Sequence, residues 1–253
     1  MTILTVNDLS KSYSGFQAVK AASFSLQAGE MLALIGPNGA GKSTCFNMIN
    51  GQIAPSGGRI EIFGRDTAGL KPRDIFRLGV GRTFQVAAAF GSMSVAENVQ
   101  TALLSFGRRH GRLYGWAARL CLDEAAALLA LVGMAEQAER SCGELAYGDL
   151  KRLEFALALA NNPKLLLMDE PTAGMAPKER GALMGLVARI ARERRIGVLF
   201  TEHDMDAVFA FADRILVLNR GVLIAEGPPA AVRADPKVQA VYLGAGTLYG
   251  AAP

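Results

Sequence analysis

The sequence predicts an α/β fold: a mostly parallel sheet with helices on its faces and an inserted lobe of helices. Short apolar runs typical of buried strands alternate with helical segments before residue 86 and again after residue 160. A glycine-rich turn joins one of these strands directly to a helix. The stretch between the two alternating parts carries helix signals without strand signals, so we expect one sheet with a helical insertion.

Length and composition limit the possible interpretations. The chain has 253 residues, enough for one large α/β domain or one domain with a smaller inserted lobe. Although 51% of the residues are hydrophobic, no uncharged run is long enough to cross a bilayer. The segment 1–13 carries Asn7 and Asp8 where a signal peptide needs an apolar centre. We therefore expect a cytoplasmic protein that meets a membrane only through a partner.

The cysteines and charges argue against further classes. Cys45, Cys121 and Cys142 are far apart without metal-ligand spacing, which suits a reducing compartment. The net charge of +4 comes from scattered basic residues with local clusters at 108–110 and 192–195. Such clusters are typical of solvated faces or docking surfaces, so we expect no nucleic-acid partner.

The first alternating part is predicted to begin with a strand at 3–9 and a loop at 10–15. The other predicted strands of this part are 16–26, 31–35, 59–63 and 80–84, and its predicted helices are 42–50 and 72–78. Turn residues at 28–30 and 55–58 separate neighbouring strands and helices.

The predicted helical lobe opens with a capping box. In Ser94-Val95-Ala96-Glu97 the hydroxyl stands at the N-cap and the carboxylate three residues later, which predicts a helix toward Ser105. Apolar spacing predicts helix within 112–132. A third helix is predicted at 150–160, ended by Asn161-Asn162-Pro163.

Strand signals return in the second alternating part. The predicted strands are 165–168, 198–201, 215–218 and 222–225. A helix is predicted from Pro177, a residue favoured in the first helical turn, to Arg195. Two short helical pieces and a Gly/Ala tail are expected after Pro228. Ligands of such parallel sheets bind at the carboxyl ends of the strands.

The glycine-rich turn has the spacing of a phosphate-binding loop, with two glycines five positions apart followed by Lys and Ser. Its backbone N–H groups and the positive end of the next helix would surround an anion. Lys42 would add a charge near the β- and γ-phosphates, and the Ser43 hydroxyl would hold Mg2+. The predicted nucleotide-binding residues here are Gly36, Asn38, Gly39, Ala40, Gly41, Lys42, Ser43 and Thr44.

Two carboxylates, Asp169 and Glu170, end an apolar strand. Asp169 would arrive beside the phosphate loop and hold Mg2+. Glu170 would point elsewhere, because side chains alternate along a strand, and act as general base on an attacking water. His203 ends another strand at the same edge, where it would hydrogen-bond a γ-phosphate.

Three further features are ambiguous by themselves. Gln85 follows a strand and is either a hinge that senses γ-phosphate and Mg2+ or a polar turn residue. Tyr13 lies upstream of the phosphate loop, where it would stack on an adenine ring. The segment 145–149 is either a second phosphate site at a helix N-terminus or a simple helix cap.

Together these residues resemble the ATP-binding cassette (ABC) family over nearly the whole chain. Residues 36–44 resemble its Walker A loop, 165–170 its Walker B strand with the catalytic glutamate, and 173–176 its D-loop. The remaining matches are Gln85 for the Q-loop, His203 for the switch histidine, Tyr13 for the adenine-stacking aromatic, and Leu145, Ala146, Tyr147 and Gly148 for the signature motif.

The resemblance implies a P-loop NTPase (RecA-like) fold with an antiparallel β subdomain and an inserted α-helical subdomain. The single domain 1–253 would comprise a core and β part (1–85), a helical subdomain with the signature motif (86–160), the rest of the core (161–228) and a C-terminal helical tail (229–253). The implied cofactors are ATP and Mg2+. Glu170, His203 and Gln85 would be catalytic, and Ser43, Gln85 and Asp169 would contact the metal.

The resemblance also implies partners. Two cassettes, identical or different, would pair head to tail, with ATP between the Walker A loop of one and the signature motif of the other. Two membrane-spanning permease subunits would contact the helical lobe and the Gln85 hinge, at the cytoplasmic face of the inner (plasma) membrane. A periplasmic or extracellular substrate-binding protein would join through the complex.

More narrowly, the chain resembles the ATPase subunit of branched-chain (hydrophobic) amino acid importers. The matching segments are 82–85, 145–148, 173–179, 202–205 and 241–244. ATPases of urea and amide importers and of lipopolysaccharide exporters are similar. A non-transport ABC switch usually has long coiled coils or two cassettes in one chain, and a GTPase has an Asn-Lys-x-Asp motif; this sequence carries neither signal.

Three positions depart from the family pattern on the side that a partner cassette would meet. Ala146 stands where many cassettes have Ser, although the importer subgroup resembles Ala146 here. Asp149 stands where Gln or Glu is commoner, and Ala176 where the D-loop usually has Asp or Asn. The hypothesis that follows is an asymmetric pair. This subunit would hydrolyse ATP with its own Walker residues, while the signature motif that it contributes to the partner's site would work less well.

Overall fold

The computed structural model describes residues 1–83, 89–106 and 121–243. Gln85, the first part of the helix predicted within 112–132 and the tail 244–253 therefore lie outside the described residues. Within the described ranges, no helix is long and apolar enough to cross a membrane.

Within the residues that the structure describes, the larger sheet has six strands. In chain order they are β3 (Met31–Ile35), β6 (Val80–Thr83), β7 (Leu165–Asp169), β8 (Gly197–Thr201), β9 (Arg214–Asn219) and β10 (Val222–Gly227). Their spatial order is β10-β9-β3-β8-β7-β6, and every neighbouring pair is parallel except β9 and β10. The predicted α/β class with a mostly parallel sheet is confirmed.

A second, antiparallel sheet has the order β2-β1-β4-β5. Its strands are β1 (Thr2–Tyr13), β2 (Phe16–Gln27), β4 (Gly57–Ile62) and β5 (Arg65–Asp66). The loop predicted at 10–15 is wrong, because only Ser14 and Gly15, with φ of 46° and 88°, form the turn. Such a two-residue turn matches the twist of a hairpin, so Tyr13 pairs directly with Phe16.

Helices lie between the strands and after them. They are α1 (Lys42–Ile49), α2 (Pro72–Arg77), α3 (Val95–Phe106), α4 (Leu122–Leu131), α5 (Tyr147–Leu159), α6 (Pro177–Arg194), α7 (Met205–Phe211), α8 (Pro229–Ala234) and α9 (Pro236–Leu243). The helices α3, α4 and α5 pack on one another. The boundaries of the helical lobe at residues 86 and 160 stay a prediction.

Two helices differ from the sequence-based expectation. Helix α5 begins at Tyr147, three residues before the predicted start, so Gly148 lies within its first turn although glycine is a poor helix former. Helix α7 was not predicted, since its seven residues are too few for a clear apolar repeat. The Asp204 side chain begins α7 by accepting a hydrogen bond from the Ala207 N–H at 2.9 Å.

The predicted capping box at the start of α3 is confirmed. The Ser94 N–H donates to Glu97 Oε2 at 2.7 Å, and the Glu97 N–H donates to Ser94 Oγ at 3.1 Å. Each side chain thus satisfies a backbone donor that the first helical turn leaves unpaired.

The hydrophobic core covers both faces of the larger sheet. Along β3, Met31, Ala33 and Ile35 belong to one buried cluster, whereas Leu32 and Leu34 belong to the other, as strand alternation requires. The first cluster joins the sheet to α3 through α9, and the second joins it to α1, α2 and the antiparallel sheet. Because both faces are covered, the carboxyl ends of the strands are where a ligand is expected.

Candidate functional site

The phosphate-binding loop connects β3 to α1, and its two spaced glycines allow close backbone approach. A Cβ on Gly36 would lie 2.1 Å from the Leu218 carbonyl oxygen. A Cβ on Gly41 would lie 2.4 Å from the Ala18 carbonyl oxygen, and Gly41 has a φ of +108°. Side chains at either position would clash, so the tight loop geometry depends on glycine.

Lys42, the first residue of α1, is folded back over this loop. Its Nζ donates to the carbonyl oxygens of Gly36 at 2.7 Å and Pro37 at 3.2 Å. Burial lowers the pKa of the Lys42 ammonium, while the nearby carboxylates of Glu170 and Asp169 act in the opposite direction. The loop therefore encloses a cationic group with few water contacts, at the place where a phosphate would sit.

Asp169 is the last residue of β7 and is held by the neighbouring strand. Thr201, the last residue of β8, pairs with it in the sheet register, and the Thr201 Oγ1 donates to Asp169 Oδ1 at 2.6 Å. Thr201 is fully buried. A buried donor thus fixes the orientation of a carboxylate at the carboxyl edge of the sheet.

Glu170 follows β7 directly but does not continue the strand. Its φ of 50° places it in the left-handed region, so a backbone turn rather than strand alternation sets its direction. Its N–H bonds to the Thr201 side chain at 3.0 Å, and its Oε1 lies 2.7 Å from Nε2 of His203. Two of the three predicted catalytic side chains, those of Glu170 and His203, are therefore in direct contact.

A cleft of about 360 Å³ brings most of the predicted site residues together. Residues 38–44 of the phosphate loop form one side, and Glu170 and His203 contribute from the strand ends. Tyr13 and Phe16 contribute from the β1–β2 hairpin. Asp169, the residue before Glu170, is close enough to Lys42 to oppose the lowering of the Lys42 pKa. The predicted contribution of Gln85 lies outside the described residues.

Phe16 and Thr201 contribute to this site but were missed from the sequence. Phe16 is 67% exposed and is the hairpin partner of Tyr13, so both aromatic side chains lie on the same face of the hairpin. The signal was a pair of aromatic residues flanking Ser14-Gly15. Thr201 was missed because its role depends on the pairing of β7 with β8, which only the sheet order reveals.

The segment Leu145 to Gly148 lies elsewhere on the molecule. None of its residues is among the described residues that line the cleft. The Tyr147 hydroxyl donates to the Ala173 carbonyl oxygen at 2.9 Å. Asp149, one of the unusual positions, accepts a hydrogen bond from the Gln137 side chain at 2.9 Å. Asp149 thus stabilises the helical lobe within its own chain.

The oxygen ligands near the phosphate loop suit Mg2+ bound together with a nucleotide better than a metal ion held by protein side chains alone. Across the described ranges, no group of three or more His, Cys, Asp or Glu residues could hold a metal ion. Ser43 lines the cleft, Asp169 ends the strand next to Glu170, and both side chains offer oxygen. Mg2+ prefers oxygen ligands and commonly takes only one or two protein groups beside phosphates and water. Ser43 and Asp169 therefore fit Mg2+ bound together with a nucleotide.

Comparison with known proteins gives two family matches. Residues 19–173 match the family described as ABC transporter, and residues 222–247 match the family described as branched-chain amino acid ATP-binding cassette transporter. The high-affinity branched-chain amino acid transport ATP-binding protein LivG of Salmonella typhimurium is 41% identical over 249 residues. That similarity covers 96% of this chain and 98% of LivG.

Solved structures with the same fold include nucleotide-bound cassettes. The ADP conformation of MJ1267, an ATP-binding cassette of an ABC transporter, is 31% identical with a TM-score of 0.84, and the match covers 96% of this chain and 99% of MJ1267. The dimeric cassette MJ0796, bound to ADP and Pi in a post-hydrolysis state, is 25% identical with a TM-score of 0.76. That match covers 90% of this chain and 99% of MJ0796.

Proposed function

The chain belongs to the ABC transporter family, and we propose that it is the ATP-hydrolysing subunit of an importer for branched-chain or other hydrophobic amino acids. The observation that carries the ATPase part is the cleft in which the phosphate loop faces Glu170 and His203. The cargo is inferred from the similarity to LivG and from the match of residues 222–247.

The principal residues at the cleft have proposed tasks in ATP hydrolysis. The loop N–H groups and Lys42 hold the β- and γ-phosphates, and Tyr13 stacks on the adenine ring. Ser43 and Asp169 hold Mg2+, which when bound neutralises charge on the phosphates. Glu170 accepts a proton from the attacking water, and His203, 2.7 Å from Glu170, orients that carboxylate and the γ-phosphate.

We infer that the working unit is a head-to-tail pair of cassettes. The signature residues lie away from the chain's own cleft, so a second subunit, identical or different, is needed to bring a signature motif to the bound nucleotide. The similar cassette MJ0796 forms a dimer bound to ADP and Pi. ATP, which contacts both subunits, would favour the closed pair, and hydrolysis would release it.

A groove of about 390 Å³ is the proposed docking site for a short helix of a permease subunit. It lies among α2, β6, α3 and α5, and Phe76, Val80, Leu157 and Ala158 make part of its apolar wall. Thr83, at the end of β6, also lines it and stands two residues before Gln85. An occupant would therefore contact the end of β6, next in sequence to the Gln85 hinge that the family resemblance implies. The chain would sit at the cytoplasmic face of the membrane through this contact.

Reconstitution in liposomes tests the proposal. The full chain is co-purified with its permease subunits, and ATP turnover is measured with a binding protein loaded with leucine. We expect leucine to stimulate turnover and Glu170→Gln to abolish it. Stimulation by urea or an amide instead of leucine would assign the chain to those importers. Turnover that no permease or cargo changes would favour a non-transport ABC switch.

Two phenylalanines test the groove. Phe76→Asp places a charge in the apolar wall and should reduce co-purification of the permease while ATP binding remains. Phe90, 57% exposed and absent from the groove lining among the described residues, gives the matched control Phe90→Asp. Equal permease recovery with both variants would contradict docking in the groove.

A further inference from the structure

Tyr147 contacts the D-loop of its own chain. Its hydroxyl donates to the Ala173 carbonyl oxygen at 2.9 Å, and a Cβ on Gly174 would lie 3.4 Å from the edge of its ring. Lys151, one helical turn along α5, places its ammonium 5.5 Å from the centre of the same ring. The start of α5 is thereby attached to residues 173 and 174.

The D-loop is in turn attached to the proposed catalytic base. The Ala173 N–H donates to the Glu170 carbonyl oxygen at 3.2 Å, and the Glu170 carboxylate lies 2.7 Å from His203 Nε2. Between them, the N–H and hydroxyl of Thr172 both donate to the buried Glu202 carboxylate, at 2.9 and 2.6 Å. A short turn stabilised by hydrogen bonds therefore connects the residue that Tyr147 contacts, Ala173, to Glu170.

We propose that Tyr147 is a positioning residue for Glu170 of its own chain. The proposal rests on the head-to-tail dimer inferred above. There, the start of α5 faces the partner's nucleotide, while the Tyr147 hydroxyl holds the turn that carries the chain's own base. Contact with one ATP would thus help to place the base that acts on the other ATP.

The other role open to Tyr147 is direct contact with the partner's nucleotide. The two roles predict effects in different active sites of the dimer. An effect within the chain changes hydrolysis at the site built on the same subunit's phosphate loop. An effect on the partner changes hydrolysis at the opposite site. Mixed dimers separate these sites.

Two mixed dimers are made from differently tagged copies of the full chain. Each contains one Glu170→Gln subunit, so that only the site built on the other subunit's phosphate loop turns over. In the first, Tyr147→Phe is in the subunit with intact Glu170; in the second, it is in the Glu170→Gln subunit. We expect turnover of the first to fall about fivefold, or about 1 kcal/mol, with an unchanged KM for ATP. The second should keep the rate of the dimer with two native tyrosines.

The reverse pattern would overturn the inference, and so would equal rates or equal losses in the two mixed dimers. Tyr242→Phe, a change of the same chemistry at a buried tyrosine of α9, serves as control and should leave turnover unchanged in either subunit. A dimer that hydrolyses no ATP even with both tyrosines native would contradict the proposed function instead.

Hydrogen exchange on the single chain tests the link without a partner. Tyr147→Phe should speed amide exchange in the peptide covering residues 170–176, because the Ala173 carbonyl loses its side-chain donor. Exchange in α1 should not change, and Tyr242→Phe should leave the 170–176 peptide as in the native chain. Unchanged exchange of this peptide in Tyr147→Phe would overturn the link.

Discussion

Replacing Thr201 with valine should destabilise the fold by removing one hydroxyl group at the edge of the site. The Thr201 Oγ1 donates to Asp169 Oδ1 at 2.6 Å and accepts from the Glu170 N–H at 3.0 Å. The Glu170 N–H also reaches the Thr201 carbonyl oxygen at 3.2 Å, so it keeps a partner. The main loss is therefore a hydrogen bond to a carboxylate, which contributes about 1.5–3 kcal/mol.

Urea unfolding followed by circular dichroism measures this loss. Thr201→Val should lower the free energy of unfolding by about 2 kcal/mol, which corresponds to a fall in Tm of roughly 4–8 °C for a chain of this size. Thr201→Ser keeps the hydroxyl and should lose less. The valine variant should also need more Mg2+ for half-maximal turnover, because Asp169 is no longer oriented. Valine and serine variants of equal stability would refute this reasoning.

Three further predictions address the D-loop, the core and the base-binding end of the cleft. Ala176 is the N-cap of α6 and offers no side-chain acceptor, so Ala176→Asp should raise the free energy of unfolding by about 1 kcal/mol; unchanged urea unfolding would contradict this. Burial raises the Cys45 pKa from 9.0 to about 12. Above pH 9 the unfolded chain loses the Cys45 proton while the folded chain keeps it. The free energy of unfolding should therefore decline as the pH rises above 9. This decline should be up to about 1.4 kcal/mol per pH unit steeper than in Cys45→Ala. The prediction is excluded if the free energies of urea unfolding of the two proteins change in parallel between pH 8 and 10. Tyr13→Ala or Phe16→Ala should weaken ATP binding about fivefold, as expected for about 1 kcal/mol of aromatic stacking, but leave inorganic triphosphate binding unchanged; titrations with equal losses for both ligands would argue against base contact.

Much of the fold can be predicted from local sequence patterns. The strand β3 and the helix α1 were predicted because an apolar run meets a glycine-rich turn, and close backbone approach at Gly36 and Gly41 gives the physical reason for that pattern. The capping box at Ser94 and Glu97 was predicted because both of its hydrogen bonds are local. Such features need only a few consecutive residues.

Other features depend on contacts between distant residues. The polar end of β1 resembles a loop in sequence and is a strand only because Lys11, Ser12 and Tyr13 pair with β2. The Asp169–Thr201 hydrogen bond depends on the order of strands in the sheet, which no local pattern encodes. Glu170 turns away from its strand because its backbone adopts a positive φ. The functional roles of these residues stay predictions.

The affinity of the full chain for Mg-ATP tests the central claim most directly. Calorimetric titration compares the native chain with Lys42→Ala and with Lys237→Ala, an exposed lysine on α9. Loss of the ammonium inside the phosphate loop should weaken binding about 100-fold, or about 2.8 kcal/mol, whereas Lys237→Ala should bind as the native chain does. Equal affinities of the native chain and Lys42→Ala would contradict a nucleotide site in this cleft.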